Sequence, residues 1–404
     1  GEAIAAFGSV YGHPEHRDQD QRFNQAKRFW ASCLARTQQQ GDTTDPFSGP
    51  HLFGAFTFFD HVQAESPFAP ATLMLPRWHV ARYGDRSTVV MNVAIPSEPE
   101  PRQLAESLWH HWQTLRELRY RALPAITTKL FEVLPSHLVA TPQVRRSVQA
   151  MVQAIQAQQL EKAVLAHAVD IQANQAIQLA ASLAQLRQRY PACSVFAIGN
   201  RHGQSFIGAS PERLTSIRQS EFVTDALAGS APRGRSRQVD QHYAQQLYNS
   251  EKERHEHDIV VQFIKQQLQT LGLQPLSPTQ PSLLKLSTIQ HLHTPIRAKL
   301  QAKVHPFEIL AALHPTPAVA GMPCQLACAE IQQHEPFERS LYAAPIGWID
   351  YQGNCEFVVG IRSALVQGDR ARLFAGAGIV AGSDPDRELA EVQLKLRVLL
   401  ADLV

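Results

Sequence analysis

Phe374-Ala375-Gly376-Ala377-Gly378-Ile379-Val380-Ala381-Gly382 is the stretch on which the fold turns, with Asp384-Pro385 behind it and Glu388, Glu391 and Lys395 beyond. At first sight it is a dinucleotide fingerprint, which would make the chain a doubly wound nucleotide-binding protein. The spacing is G-x-G-x-x-x-G, and the stretch lies near the chain end with no strand and acidic residue after it, so that fold is rejected. What remains is a glycine-rich segment that can expose backbone N–H groups to an anion; its plainer reading is a tight turn. A helix follows, over about 386–402: Asp384 can cap it and Pro385 can start it. Glu388 and Glu391 stand three apart and share one face.

Working outward, a second acidic site lies in Arg254-His255-Glu256-His257-Asp258, ahead of an apolar face made by Ile259, Val260, Phe263 and Ile264. That pattern predicts a helix over about 250–271 with Glu256 toward its interior side. Carboxylates from two helices, Glu256 with Glu388 and Glu391, suit a hard cation such as Mg²⁺, which takes oxygen ligands. Taken alone, the plainer reading is three surface helix charges. His255/His257 and His291/His293 have no third ligand at zinc spacing and read as ordinary histidines. A second glycine-rich stretch, Ala228-Gly229-Ser230-Ala231-Pro232-Arg233-Gly234-Arg235, again reads as an anion loop or, more plainly, a tight turn. Arg233, Arg235 and Arg237 form an exposed loop or a gate over an anion, and their isolation argues against nucleic acid. Lys162 opens an apolar strand; it is either a strand-end lysine in water or a desolvated base. Glu212, in Ser210-Pro211-Glu212-Arg213, is either salt-bridged to an arginine or a general acid.

The rest of the chain frames these groups. Its 404 residues can bury a large core, and 38 basic against 36 acidic side chains predict no nucleic-acid or anionic-membrane partner. No apolar run approaches the ~18 residues of a membrane span. Five scattered cysteines argue against a disulfide framework and for a reducing, cytoplasmic setting, with Cys324 and Cys328 as buried small hydrophobes. The chain begins at Gly1 rather than Met, which leaves room for a removed targeting segment. Residues 1–140 read as sheet-rich: a strand at Leu52–Phe59, a hairpin turning at Tyr83–Ser87, then a helix with Leu104, Leu108, Trp112 and Leu115 on one face. A boundary is placed near 140, before a helix capped by Thr141 with Val144, Val148, Val152 and Ile155 as its stripe. Strands follow at 162–171, 194–199, 205–210 and 356–365, with a helix at 176–189 and a loop at 273–282.

In this order the pieces resemble the chorismate-utilising enzyme family, which includes isochorismate, salicylate, anthranilate and aminodeoxychorismate synthases. The matching blocks are Lys162–Leu165, Ile207–Glu212, Leu227–Ser230, Ser250–His257, Leu313–Gly321, Ile361–Ala364, Phe374–Val380 and the Glu388/Glu391/Lys395 helix. Together they span about 155–400; residues 1–140 resemble the family only loosely. The resemblance implies an α/β (α+β) fold in which antiparallel sheets flanked by helices sandwich a deep cleft, in a monomer. It assigns Mg²⁺ to Glu256, Glu388 and Glu391. Arg362, the backbone of Gly229 and of Gly376–Gly378, and Lys395 would hold the two carboxylates of chorismate, with Ser230, His291, Ala318 and Tyr342 lining the same pocket.

The branch of the family turns on the nucleophile. Members that add ammonia lack a lysine at Lys162, and the aminodeoxychorismate branch carries a nucleophilic lysine where this chain has Ala228. The resemblance therefore implies water as nucleophile, with Lys162 as base and Glu212 as acid, and isochorismate as product. Salicylate synthases share both residues and go on to eliminate pyruvate. Ser230 in place of threonine, and the small apolar residues of Pro317-Ala318-Val319-Ala320-Gly321, favour stopping at isochorismate. A non-catalytic chorismate-binding paralogue is the reading from another class; five intact acid, base and metal residues argue against it. The wording Tyr342-Ala343-Ala344-Pro345-Ile346-Gly347-Trp348 is similar to menaquinone- and phylloquinone-pathway members.

Overall fold

The structure, a computed structural model, describes residues 2–12, 22–98, 100–117, 131–133 and 141–403. The boundary expected near residue 140 lies outside the described residues. The first part of the chain holds β1 (Glu2–Gly12), α1 (Arg22–Ala35), β2 (His51–Phe56), β3 (Ala71–Tyr83), β4 (Arg86–Met91), α2 (Pro101–Glu117) and β5 (Phe131–Val133). Then come α3 (Thr141–Gln156), β6 (Lys162–Ala173), α4 (Leu179–Arg189), β7 (Ser194–Gly199), β8 (Ser205–Ser210), β9 (Arg213–Arg218), β10 (Glu221–Pro232), α5 (Arg237–Asn249) and α6 (Glu251–Thr270). The chain closes with β11 (Ser282–Lys285), β12 (Ile289–Lys299), α7 (Pro306–Leu313), β13 (Gly321–Met322), α8 (Cys324–His334), β14 (Pro345–Asp350), β15 (Cys355–Val359), β16 (Ser363–Gln367), β17 (Arg370–Ile379) and α9 (Pro385–Leu400).

Two antiparallel sheets carry the fold. The larger runs β1-β3-β2-β14-β15-β9-β10-β12-β11 with β4 on β3, and the smaller runs β13-β6-β17-β16-β8-β7 with β5 on β6. Strands from before residue 100 and after residue 340 pair directly, β2 against β14, so both ends of the chain build the larger sheet. The main apolar core lies between the sheets: Phe56, Ile217, Phe222 and Phe357 from one meet Ala166, Phe206 and Phe374 from the other. At roughly 1.5–3 kcal/mol for each fully buried large side chain, this contact dominates the adhesion of the layers. On the outside, α6 packs on β10 and α9 on β17.

Several expectations change in detail. The strand read at 356–365 is two strands: β15 belongs to the larger sheet and β16 to the smaller, and the chain crosses between them at Gly360-Ile361-Arg362. Both glycine-rich stretches begin as strand, β10 running through Gly229 to Pro232 and β17 through Gly376 and Gly378 to Ile379, and the turn is confined to Ala381-Gly382. The stripe of α3 is Val144, Val148, Met151 and Ile155, with Met151 fully buried and Val152 at its flank. Helix α2 forms, yet Trp112 stays exposed and its leucines are half-buried. Cys324 and Cys328 are free thiols, half-buried against the main core.

Candidate active site

The cleft sits where the sheets and the two outer helices meet. It encloses about 940 Å³ of free space, its open mouth included. Its carboxylates come from helix starts fixed by capping. Ser250 accepts from Glu253 N at 3.3 Å to start α6, and Asp384 accepts from Arg387 N at 3.0 Å to start α9. Glu256 then falls in the second turn of α6, and Glu388 and Glu391 in the first two turns of α9, all three facing the cleft.

Each of these carboxylates is turned to an ammonium. Lys162 Nζ stands 2.9 Å from Glu256 Oε1, Lys252 Nζ 3.0 Å from Glu388 Oε1, and Lys395 Nζ 2.7 Å from Glu391 Oε1. Lys395 also donates to Gly376 O at 2.8 Å. Lys162 is fully buried, so the reading of a strand-end lysine in water fails; beyond the ion pair its Nζ has no hydrogen-bond partner. Room for Glu256 exists because β17 carries no side chain opposite it: a Cβ on Gly378 would lie 2.3 Å from Glu256 Oε1.

Glu212, between β8 and β9, is buried on the cleft wall. Arg213 does not pair with it but with Asp225, at 3.1 Å, so the salt bridge read from the sequence is absent and Glu212 is left without a cation bonded to it among the described residues. Burial, reinforced by the charge of Asp225 and opposed by Lys162, pushes its carboxyl up to about 8. A carboxyl in that state carries its proton at neutral pH and can donate it.

The opposite wall presents donors. A bulge in β10 puts Gly229 at φ +74°, a backbone that favours glycine. His291 on β12 places Nδ1 3.2 Å from Gly229 O and 3.1 Å from Ser230 Oγ, while Arg362 donates to its Nε2 at 2.9 Å. Arg362 has no acceptor to offer, so Nε2 carries the lone pair and Nδ1 the proton. Burial, with Arg362 and Lys395 close by, drives its pKa far down and keeps the imidazole neutral. Arg362 itself has φ +52°, the cost of the crossing between sheets. Tyr342 lies flat against Phe374, centroids 5.2 Å apart, and Ala318 closes the floor beside Val319.

Of the residues named from the sequence, Glu212, Gly229, Ser230, Glu256, His291, Ala318, Tyr342, Arg362, Gly376, Gly378, Glu388, Glu391 and Lys395 all line this cleft, and Lys162 stands behind Glu256. Two further charged groups on the wall were missed, Lys252 and Glu253. Ser230 N donates to Glu253 Oε2 at 3.1 Å, and burial beside Glu256 pushes the Glu253 carboxyl up to about 7. Glu253 stands three before Glu256, the same spacing that singled out Glu388 and Glu391, and the signal was there to use. Arg233, by contrast, is no gate: it holds Asp240 with two hydrogen bonds, at 2.6 and 3.0 Å.

A profile described as chorismate binding enzyme matches residues 1–404. The chain belongs to that family. Among its members, the salicylate biosynthesis isochorismate synthase of Pseudomonas aeruginosa PAO1 is 37% identical over 98% of this chain and 82% of its own length. The isochorismate synthase EntC of Escherichia coli K12 is 33% identical over 88% of this chain and 92% of its own. Among solved structures, MenF, the menaquinone-specific isochorismate synthase of Escherichia coli, superposes with a TM-score of 0.81 at 29% identity, covering all of this chain and 86% of that one. The fold expected from the sequence is thus the fold of the family.

Proposed function

We propose that this member of the family is an isochorismate synthase, converting chorismate to isochorismate by attack of water on ring carbon C2 with loss of the C4 hydroxyl. One observation carries the reading: a buried lysine behind Glu256, Lys162, and a buried, proton-holding glutamate on the wall, Glu212, serve one cleft in which position 228 is an alanine rather than a nucleophilic lysine. Three relatives named as isochorismate synthases support it.

The chain's own groups divide the work. Arg362, with the backbone of Gly229 and Gly376–Gly378 and with Lys395, would hold the substrate carboxylates. Tyr342 and His291 shape the pocket, His291 as a neutral donor. Lys162 must first part from Glu256 and give up its ammonium proton to solvent; the neutral amine then takes a proton from the attacking water. Glu212 gives its proton to the departing hydroxyl, which leaves as water while the ring double bonds shift. One water enters and one leaves, so the proton account closes when Lys162 and Glu212 re-equilibrate.

Mg²⁺ belongs to this reading. Glu256, Glu388 and Glu391 offer an all-oxygen donor set on one cavity, with Glu253 beside them, which fits a hard cation. As they stand, no three such side chains among the described residues are drawn together closely enough to grip an ion; all three are held by lysines. Exchange of those ammonium partners for the cation is therefore part of the proposal. When bound, the ion would neutralise the glutamates and grip a substrate carboxylate.

Isochorismate is the product common to relatives named for salicylate and for menaquinone pathways. Turnover in ¹⁸O-water tests the nucleophile: one label per isochorismate is expected. Lys162→Ala is expected to abolish turnover, and unchanged turnover would remove Lys162 as base.

A further inference from the structure

Strand β13 is two residues long and pairs with the first two residues of β6, Gly321 against Ala163 and Met322 against Lys162. Val164 N continues the contact by donating to Ala320 O at 2.8 Å. Residues two apart in a strand turn their backbone groups to the same edge, so Val164 O and Ala166 N face the side that β13 does not reach. Buried backbone groups of this kind need partners. Two side chains supply them: Arg339 Nη2 donates to Val164 O at 2.8 Å, and Glu335 Oε1 accepts from Ala166 N at 2.7 Å. Arg339 Nε also donates to Glu335 Oε2 at 2.8 Å, and both residues are buried. Glu335 caps the end of α8, so the ion pair begins where that helix stops.

The pair reaches beyond β6. Arg339 Nη1 donates to Val319 O at 2.8 Å, and the Arg339 backbone oxygen accepts from Tyr342 N at 2.8 Å. Its guanidinium lies 5.8 Å from the centre of the Tyr342 ring and 4.3 Å from that of Phe58. Val164, Val319 and Tyr342 all line the cleft. Lys162 stands two residues before Val164, on the same face of β6. One arginine thus holds the strand of the lysine, the cleft floor and the tyrosine wall.

A buried ion pair is a poor means of adding stability, because apolar side chains of like volume often serve as well or better. What a guanidinium adds is a rigid planar fork whose donor directions are fixed. We propose that Glu335 and Arg339 are positioning residues for this site: they stand in for strand partners along the edge of β6 and hold Lys162's strand, the Ala318-Val319 floor and Tyr342 in register with one another. Neither residue lines the cleft, so both act through the groups they hold. The inference rests on the reading of Lys162 as base in this cleft.

The test separates position from stability. Arg339→Met with Glu335→Leu removes both charges together, and the double variant is expected to melt far closer to the unaltered protein than Arg339→Met does. Its kcat on chorismate should nevertheless stay down by about 10²-fold, the scale for a displacement near 1 Å at reacting groups, with KM changed less than kcat. A merely structural pair would return kcat together with the melting temperature. A kcat within about twofold of the unaltered protein in the folded double variant would therefore overturn the proposal. If the double variant does not fold, Arg339→Lys keeps the charge against Glu335, but one ammonium lacks the fork that spans Val164 O and Val319 O. The same loss of kcat in folded Arg339→Lys would support the proposal, and unimpaired kcat would overturn it. Unchanged turnover in Lys162→Ala would overturn the reading of that residue as base. An inactive Lys162→Ala beside a fully active double variant would overturn the positioning role alone.

Discussion

Gly378→Ala isolates the steric logic of the cleft. The backbone of Gly378 lies in β17 at an ordinary strand conformation, so alanine brings no backbone strain. Its methyl, however, would lie 2.3 Å from Glu256 Oε1, 3.0 Å from Glu256 Cδ and 3.3 Å from Lys162 Cε. To regain ordinary contact at about 3.4 Å, the carboxylate must retreat by about 1 Å, and the 2.9 Å ion pair with Lys162 goes with it. Glu256 is the end of a flexible side chain, so the fold should absorb the change with little loss of melting temperature. Catalysis should not: a displacement near 1 Å at reacting groups costs about 10²-fold, or roughly 2.7 kcal/mol of transition-state stabilisation. Steady-state kinetics on chorismate beside a thermal melt reads both. Gly382→Ala, where a new methyl meets nothing within 4 Å, is the control and should be neutral. Activity of Gly378→Ala within about twofold of the unaltered protein would refute the steric account.

Other outcomes follow from the same geometry. Arg339 is fully buried, donates to Glu335 through Nε at 2.8 Å, and also holds Val319 O and Val164 O at 2.8 Å each. Arg339→Met should cost about 3–5 kcal/mol in urea unfolding, and adding Glu335→Leu should recover much of it. Glu212 holds its proton to about 8 when folded against 4.5 ordinarily, so the unfolded chain releases that proton first and stability falls as pH rises between those values. Glu212→Gln is therefore expected to melt higher than the unaltered protein at pH 8 and not at pH 4, while losing activity. Mg²⁺ at a hundred times its dissociation constant should stabilise the fold by about 2.7 kcal/mol, read as a raised melting temperature, with Glu388→Gln abolishing the rise. Chelation should stop turnover.

What the sequence made legible was the set of residues more than their local shapes. Helix boundaries at 250–271 and 386–402 were readable because caps and apolar periodicity are local signals, and the helices lie at 251–270 and 385–400. The glycine-rich stretches misled, since glycine is enriched in turns and in strands that need close approach, and only tertiary contact separates the two: Gly378 serves Glu256, Gly229 the bulge. The crossing at Arg362 was invisible because Phe357-Val358-Val359 before it and Ala364-Leu365 after it are equally apolar, whichever sheet each half joins. Lys162 and Glu212 had the plainer local readings against them, a wet lysine and a salt bridge. Burial overturned both, and burial is set by strands far away in sequence. Met151 replaced Val152 in the α3 stripe because an ideal helix drifts around its axis relative to a simple repeat.

The central claim is the identity of the product. The purified protein incubated with chorismate and Mg²⁺, its products separated by chromatography and identified by mass, tests it directly. Isochorismate, in balance with remaining chorismate and with little pyruvate released, is the result expected. Salicylate and pyruvate in equal and dominant amounts, or chorismate left unchanged, would contradict it.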